Sequence, residues 1–512
     1  MGLLIAAAIV TGAVLLPPVY LVWRAAGSDS IWSTLTDAST VRAFGRTVLL
    51  TATVTGTCIA LAVPLAWLTG RTDLPLARLW TVVLALPLAV PSFVGGFVMV
   101  SALGPGGLVQ DALEPLGVDR LPSVYGFRGA WLVLSLFSYP YIFLQVRALL
   151  SRTDPSMEEA SRSLGKSAWQ TFWRVNLPQM RPSIAAGALL VALYVLSEFG
   201  AVSMLRYDTL TPLVYIQYTT SFDRASAAVL GLPLIALAVL IVSLDGLTRG
   251  RARYHTRGQQ RAPRVMALGR WRWPAFAFCL AIALLGIGLP VAVIVYWLVK
   301  GLSAEGTTGF LVEAAVNSAQ ASGLAAVVAA LACLPIAYLS ARHPGWTSGL
   351  FEKASYAGQA LPAITIALAL VFFASNYLTG LYQTVWILVF AYAVRFLPEA
   401  MGAIRASLLQ VNPNTEEAAR SLGAGPLRTF LRITAPQTFP GLSAGMLLVF
   451  LTAMKELPIT ILLSPVGFDT LATEIWSATS EAFFTRAAVP SLILLLISAC
   501  AVLLMLRRER LT

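Results

Sequence analysis

The sequence predicts an all-α polytopic membrane protein with about twelve transmembrane helices in two homologous six-helix halves. Of its 512 residues, 57% are hydrophobic and 12% are charged, whereas soluble domains carry roughly 25% charged residues. The second observation is an internal repeat, because two polar stretches of 25 residues recur 258 positions apart between long apolar segments. Composition therefore indicates a membrane protein, and the repeat indicates two related halves.

Apolar segments of about 20 residues, the length that crosses a bilayer as a helix, predict the spans. They lie near residues 2–23, 45–69, 79–103, 129–150, 183–205, 225–247, 273–299, 315–341, 354–377, 380–402, 441–463 and 487–506. The first has neither a basic leader nor a small-residue cleavage site, so we interpret it as a retained span rather than a signal peptide. Six spans fall in each half.

The repeat is clearest in the two polar stretches. Residues 158–182 read EEASRSLGKSAWQTFWRVNLPQMRP and residues 416–440 read EEAARSLGAGPLRTFLRITAPQTFP, with 13 of 25 positions identical. We call the loops that contain them repeat loop 1, residues 151–182, and repeat loop 2, residues 403–440. Their similarity predicts that both loops adopt the same structure.

Each repeat loop predicts two short helices with a break between them. A capping residue and a proline begin the first helix, a left-handed glycine ends it, and a later proline ends the second. In loop 1 these residues are Asp154 or Ser156, Pro155, Gly165 and Pro178, with a capping box from Ser156 to Glu159. In loop 2 they are Asn412, Pro413, Gly423 and Pro436, with a box from Asn414 to Glu417.

The basic residues predict the orientation. With both chain ends inside, 26 of the 36 Lys and Arg residues face the cytoplasm, as the positive-inside rule requires. Both repeat loops then face the cytoplasm as well. We divide the chain into a first half at 1–247, a basic linker at 248–272 and a second half at 273–512. The net charge of +12 lies in such short loops, so it does not indicate a nucleic-acid partner.

The repeat extends beyond these loops with a different spacing. Arg71 and Pro91 correspond to Arg342 and Pro362 at a spacing of 271 residues, 13 more than the spacing of the loops. The long segment 104–128, predicted to be external, accounts for this difference, since the second half has a short turn at the equivalent place. Prolines within the spans predict kinks or interruptions.

A glutamate follows each repeat loop at the same place in a predicted span. Glu198 and Glu456 are 258 residues apart, and an ionisable group inside a membrane is costly unless it is paired or faces water. We interpret both as residues of a translocation pathway that favours a cation. The alternative is a structural ion pair, for example with Lys455.

Several kinds of catalytic and metal site are not indicated. The two histidines and four cysteines, Cys58, Cys279, Cys333 and Cys500, show no metal-ligand or CxxC spacing. There is no nucleotide-binding Gly-x-x-x-x-Gly-Lys-Ser/Thr motif either. The chain is therefore predicted to be a transport subunit, not an enzyme, without an ATPase site or a high-affinity metal site.

The repeat loops resemble the "EAA" loop of permease subunits of binding-protein-dependent ABC importers, and the fold resembles the MetI-like permease type. This resemblance implies that helices of both loops dock onto separate ATPase subunits. The coupling residues that it implies are Glu159, Ala160, Ser161, Gly165 and Pro178 in loop 1, and Glu417, Ala418, Ala419, Gly423 and Pro436 in loop 2. Ser161 departs from the second alanine of the motif.

Four runs are similar to those of fused ferric-iron permeases of the ABC class. They lie at residues 197–205, 391–400 and 454–481 and, within repeat loop 2, at residues 416–423. The resemblance implies a ferric-iron importer, while a permease for thiamine or another small solute remains the main alternative. An ion-driven secondary transporter would also show repeated halves, but it would not need two matched surface loops.

The resemblance also implies the partners and the location. An ATPase dimer would use ATP and Mg²⁺, and a periplasmic or lipid-anchored binding protein would deliver the substrate. The chain itself would bind no cofactor. We expect a multi-pass protein of the bacterial inner membrane with both termini in the cytoplasm.

Overall fold

In the computed structural model, the described residues are 2–117, 121–152, 156–221, 224–248, 266–301 and 308–509. Within them the regular elements are helices, apart from one isolated β-bridge between Thr72 and Met266. The predicted all-α class is therefore confirmed. The capping residues predicted at Asp154 and Pro155 lie outside the described residues, as does most of the linker predicted at 248–272.

The α-helices are numbered here in chain order. They are α1 Gly2–Ala26, α2 Ile31–Thr36, α3 Ala38–Arg71, α4 Ala77–Val83, α5 Ser92–Leu103, α6 Leu108–Leu113, α7 Phe127–Arg152, α8 Ser156–Ser163, α9 Ala168–Thr171, α10 Leu177–Leu196, α11 Gly200–Met204, α12 Leu210–Thr219, α13 Arg224–Thr248, α14 Arg272–Ala283, α15 Leu289–Gly301, α16 Thr308–Arg342, α17 Trp346–Ser355, α18 Ala357–Ala360, α19 Ala363–Tyr377, α20 Val385–Gln410, α21 Pro413–Ser421, α22 Pro426–Thr429, α23 Ala435–Ala453, α24 Pro458–Leu463, α25 Leu471–Ser480 and α26 Phe484–Glu509. Short 3₁₀ turns lie at Leu86–Ala89, Glu114–Leu116 and Gly269–Trp271, and π-turns lie at Phe172–Asn176, Leu284–Gly288 and Phe430–Thr434.

Ten helices of the described residues are long and apolar enough to cross a membrane, and one bent pair raises the number to eleven. In that pair, Trp346–Ala360 meets Ala363–Tyr377 at a bend of 100°. The remaining predicted span, 441–463, is broken, since α23 ends at Ala453 and α24 begins at Pro458. A proline cannot donate the amide hydrogen bond of a continuing helix, and it suits the start of a new one.

Prolines also interrupt the third predicted span of each half at the same repeat position. Pro91 and Pro362 have extended backbones, at φ −60° and ψ 142° and at φ −59° and ψ 138°, and each directly precedes a buried helix. A short helical turn lies before each proline, at Leu86–Ala89 and at Ala357–Ala360. The predicted interruptions are confirmed, and they give the two halves matching broken spans.

The chain forms two compact units, and each contains segments of both sequence halves. Unit 1 comprises residues 1–40, 213–235 and 304–478, and unit 2 comprises residues 41–212, 236–303 and 479–512. The division predicted at 1–247, 248–272 and 273–512 follows the sequence repeat and stays a prediction about that repeat. The compact units follow packing instead.

In unit 1, the N-terminal helix α1 packs on helices of the second sequence half, chiefly α16 and α19. The Tyr20 ring meets Phe373 and Tyr377 edge-on, with centroid distances of 5.2 and 6.1 Å. Leu21 is fully buried, and a Cβ at Gly231 would lie 2.7 Å from its Cδ2 atom. Helix α1 therefore belongs to the core of unit 1, although it begins the first half of the sequence.

In unit 2, helices α15 and α26 of the second sequence half pack on each other and on α5 of the first half. The Trp297 indole N–H donates to Ser101 Oγ at 2.5 Å. The Phe97 and Phe484 rings lie 5.5 Å apart between centroids. Aromatic packing thus fixes the last span of the chain against a span of the first half.

The repeat is visible in matched hydrogen bonds within each unit. In unit 2 the Leu210 amide donates to Thr47 Oγ1 at 3.0 Å. In unit 1 the Leu471 amide donates to Ser318 Oγ at 2.8 Å. The first bond joins the start of α12 to the long helix α3, and the second joins the start of α25 to the long helix α16. The two halves therefore share contacts as well as a sequence pattern.

Candidate functional site

Gly165 and Gly423 end the first helix of each repeat loop in the left-handed conformation, at φ +80° and +84°. In loop 1 the Gly165 amide donates to the Arg162 carbonyl at 3.0 Å, and the Lys166 amide donates to the Ser161 carbonyl at 3.3 Å. The same two bonds recur in loop 2. This pattern is the Schellman motif, which favours glycine at the left-handed position. The predicted glycine breaks are confirmed.

Helix α21 of repeat loop 2 begins with a side-chain cap. Asn412 Oδ1 accepts a hydrogen bond from the Asn414 amide at 3.0 Å, and Pro413 is the first helical residue. The cap predicted at Asn412 is confirmed. The capping box predicted from Asn414 to Glu417 is wrong, because Asn414 already lies inside the helix.

The second helix of each repeat loop does not end at Pro178 or Pro436, contrary to the prediction. In loop 1 a π-turn at Phe172–Asn176, closed by the Leu177 amide donating to the Phe172 carbonyl, continues directly into α10. Loop 2 repeats this geometry. The prolines therefore lie in the first turn after a π-turn, inside a helix that continues past them. One continuous helix runs from each loop into the following span.

Most residues predicted to couple the chain to a partner lie at the surface. The exposed ones are Glu159, Ala160, Gly165, Glu417, Ala418, Gly423 and Pro436. Ser161 and Pro178 are half-buried, and Ala419 is buried. The Ser161 hydroxyl lies 3.1 Å from Thr171 Oγ1, so the departure from alanine at this position adds a hydrogen bond inside the loop.

Large apolar side chains are exposed at matched positions of the two repeat loops. They are Leu164, Trp169 and Trp173 in loop 1, and Leu422, Leu427 and Leu431 in loop 2. The members of each pair are 258 residues apart. Apolar side chains that are exposed together mark a protein–protein or membrane interaction site. We call these two sets the apolar patches of the repeat loops.

Glu416, directly before the predicted Glu417, is buried and is not among the residues predicted from the sequence. Arg342 donates to its Oε1 atom from Nη2 at 2.9 Å and from Nε at 3.1 Å. The one sequence signal for this buried site was that Arg342 and Arg71 occupy equivalent positions of the repeat. The loop therefore presents one glutamate outward and holds its neighbour inward.

The pathway residue Glu198 lies at a helix break in unit 2 and is buried. Its Oε1 atom accepts a hydrogen bond from the Ala201 amide at 2.9 Å, at the start of α11. The Tyr194 hydroxyl lies beside this carboxylate, and the Tyr141 ring lies 5.8 Å from that of Tyr194. A carboxylate and two phenols thus lie together beside this broken span.

Glu456 lies at the matching break in unit 1, near the Ile459 amide, and its Oε1 atom is buried without a hydrogen-bond partner among the described residues. Its Oε2 atom lies 3.6 Å from Arg395 Nε. Arg395 Nη1 in turn donates to the Leu361 carbonyl at 2.8 Å. Arg395, which was not predicted as a site residue, therefore joins the broken span at Leu361 to the break at Glu456.

Lys455, the alternative partner for a structural ion pair with the pathway glutamates, lies near Glu399. Its charge acts on Glu399, whose Oε2 atom accepts a hydrogen bond from Thr452 at 2.8 Å. The second-half site therefore contains two acids and two bases. The equivalent positions of the first half, 258 residues earlier, hold Phe137, Tyr141 and Ser197 in place of Arg395, Glu399 and Lys455. The two glutamates share a position at a helix break, but the residues at matching positions around them differ in charge.

Comparison with known proteins decides the family. Residues 62–254 and 333–510 both match the model of the binding-protein-dependent transport system inner membrane component. The chain belongs to this family. The two matches fall in the two halves, so this permease carries the family domain twice in one polypeptide. Membership excludes the ion-driven secondary transporter and makes the chain a transport subunit.

Relatives of this permease include both fused and half-size proteins. It is 35% identical over 466 residues to the Fe(3+)-transport system permease protein FbpB 2 of Haemophilus influenzae, covering 90% of this chain and 88% of the relative. It is 27% identical to the ferric transport system permease protein FbpB of Actinobacillus pleuropneumoniae, covering 74% of this chain and 58% of that protein. It is also 31% identical to the molybdenum transport system permease protein ModB of Escherichia coli, covering 40% of this chain and 96% of ModB.

The family is one of inner-membrane components, and the apolar helices fit a multi-pass protein of that membrane. The ModB match covers nearly the whole of a half-size permease with 40% of this chain. A single half of this permease therefore corresponds to a complete subunit elsewhere in the family.

Proposed function

We propose that this permease forms the transmembrane path of an ATP-driven importer for ferric iron that an extracytoplasmic binding protein delivers. The proposed substrate rests on the 35% identity to an Fe(3+)-transport permease over 90% of the chain. Ferric ion is a hard cation that prefers oxygen ligands. The carboxylate and phenols around Glu198 are ligands of this kind.

The repeat loops are the proposed docking sites for two ATPase subunits. Each loop presents an apolar patch next to its exposed glutamate, Glu159 or Glu417. Each also continues as one helix into a span, so a displacement of the loop moves that span directly. ATP and Mg²⁺ act in the partner subunits, and this chain binds no cofactor of its own.

The orientation follows the predicted charge distribution. Both termini and both repeat loops face the cytoplasm, where the ATPase acts, and the binding protein docks on the opposite side. Helix α6 and the turn Glu114–Leu116 lie in the segment 104–128, which the second half replaces with a few residues. The binding protein therefore meets a surface that differs between the halves.

The glutamates at the two helix breaks are proposed to line the translocation pathway. Glu198 has two phenols beside it, whereas Glu456 is paired with Arg395. The nearby positive charge of Arg395 weakens the attraction of Glu456 for a cation.

Replacing Glu198 with glutamine is expected to lower the rate of iron uptake about tenfold, the loss typical of one charge-assisted contact. Glutamine retains the acceptor for the Ala201 amide but loses the charge. The measurement is uptake by cells with equal amounts of complex in the membrane. Glu481→Gln, an exposed control, is expected to leave uptake unchanged, and normal uptake by the Glu198 variant would exclude it from the pathway.

Replacing Gly165 and Gly423 with valine is expected to uncouple ATP hydrolysis from transport. A β-branched residue in the left-handed conformation costs roughly 1–2 kcal/mol at each site, which shifts both loop helices. We expect iron transported per ATP hydrolysed to fall about tenfold. Gly425→Val is the control, because Gly425 lies in the same loop at φ −64° with open space around it; an equal effect of the control would contradict the prediction.

The substrate is tested by uptake of labelled ferric iron and, separately, labelled thiamine. The cells lack their own systems and express the permease with its cognate ATPase and binding protein. We expect iron uptake that an inactive ATPase abolishes, and no thiamine uptake. Thiamine uptake without iron uptake would overturn the substrate while leaving the ATP-driven mechanism in place.

A further inference from the structure

The buried Glu416 carboxylate joins four segments of the second half. Besides the two bonds from Arg342, it accepts one from Tyr338 Oη at 3.2 Å and one from Thr434 Oγ1 at 2.9 Å. Arg342 Nη2 also donates to the Val411 carbonyl at 3.0 Å. Tyr338 and Arg342 lie at the end of α16, and Val411 directly follows α20. Glu416 lies in α21, and Thr434 lies in the π-turn of repeat loop 2.

Burial makes this junction rigid. The Arg342 and Glu416 side chains are 9% and 5% exposed, and both carboxylate oxygens receive hydrogen bonds. Separating a buried ion pair leaves an uncompensated charge, which is strongly unfavourable. Loop 2 therefore cannot move away from the end of α16 without breaking several charge-assisted bonds at once.

The corresponding place in the first half is built differently. Glu158 is half-buried there, and its charge acts on Arg71. Tyr338 and Thr434 correspond to Trp67 and Asn176, and the Asn176 Nδ2 atom is buried without a hydrogen-bond partner among the described residues. The hydroxyl donors that complete the second junction are thus replaced in the first.

The linker holds the end of α3 in the first half instead. The Met266 amide donates to the Arg71 carbonyl at 2.8 Å, and the Asp73 amide donates to the Met266 carbonyl at 3.0 Å. The Leu268 amide donates to Asp73 Oδ1 at 2.7 Å. At the matching positions the second half has His343 and Pro344, and a proline has no amide hydrogen to form such a bridge.

We propose that Arg342 and Glu416 are positioning residues that clamp repeat loop 2 to α16, so that the motion of the ATPase reaches the second half through this pair. In repeat loop 1, Glu158 is half-buried and lacks the two hydroxyl donors that Tyr338 and Thr434 provide to Glu416, and the linker stabilises the helix beside it. This inference rests on the proposed function, because it assigns a route to the motion that ATP hydrolysis produces. It predicts that the two loops contribute unequally.

The test compares Glu416→Gln with the matched variant Glu158→Gln in the purified complex with the ATPase. The measurements are ATPase retained on the permease, ATPase stimulation by the iron-loaded binding protein, and iron transported per ATP. We expect Glu416→Gln to retain the ATPase and to lower both the stimulation and the iron per ATP about tenfold. Glu158→Gln is expected to change them less than about twofold.

A second variant, Thr434→Val, keeps the proposal testable if the Glu416→Gln permease does not accumulate. Thr434→Val removes one bond to Glu416 without uncovering a charge, and it is expected to lower ATPase stimulation about fivefold. Equal effects of the two glutamate variants, or normal stimulation in Thr434→Val, would overturn the clamp. Absence of both iron transport and ATPase stimulation in the unmodified complex would instead overturn the substrate, and the clamp would then be tested by the same ATPase measurements with the binding protein loaded with thiamine.

Discussion

Replacing Leu164 and Leu422 together with aspartate is expected to release the ATPase from the permease. These side chains are 79% and 89% exposed, beside the left-handed glycines of the two repeat loops. Each belongs to the apolar patch of a repeat loop that is proposed to dock on the ATPase. A buried anchor of this kind contributes about 2 kcal/mol or more to binding, and its loss weakens affinity about thirtyfold.

The measurement is the amount of ATPase that copurifies with equal amounts of permease. Val466→Asp is the matched control, because Val466 is also 89% exposed but lies in a segment predicted to be external. We expect the control to retain the ATPase fully. Full retention by the Leu164 and Leu422 double variant would contradict docking at the repeat loops.

Replacing Arg395 with glutamine is expected to destabilise the permease more than any surface change. Arg395 holds the Leu361 carbonyl and faces the Glu456 carboxylate inside unit 1. Removing one partner of a buried pair typically costs about 3–5 kcal/mol, because the other charge remains without compensation. The measurement is the thermal unfolding midpoint of the purified permease in detergent.

Two further variants separate the ion pair from a general loss of packing. Glu456→Gln combined with Arg395→Gln is expected to recover much of the lost stability, because no charge is left uncompensated. Arg46→Gln removes the arginine of an exposed pair with Asp208, whose side chains are 43% and 73% exposed, and should cost at most about 1 kcal/mol. A double variant as unstable as Arg395→Gln alone would show that the pair does not stabilise the fold.

Local features of the repeat loops were predictable because local chemistry determines them. The left-handed glycines and the Asn412 cap depend on residues within one helical turn. The broken spans at Pro91 and Pro362 depend on the missing amide hydrogen of proline. In contrast, the π-turns before Pro178 and Pro436 leave no distinct sequence signal, and the sequence predicted a helix end at each.

Long-range packing was not predictable in the same way. The packing of α1 in unit 1 depends on side chains hundreds of positions away, such as Phe373 and Tyr377, and periodicity carries no information about them. The clamp at Glu416 was missed for a related reason. Two adjacent glutamates look alike in sequence, and only the position of Arg342 shows that one is buried while the next is exposed.

The most direct test is iron uptake into proteoliposomes that contain the purified permease and its ATPase. ATP is enclosed in the vesicles with the ATPase facing inward, and the iron-loaded binding protein is added outside. We expect uptake that requires both enclosed ATP and the binding protein, and that the Leu164 and Leu422 double variant abolishes. Uptake that continues without ATP, or without the binding protein, would contradict an ATP-driven importer coupled through the repeat loops.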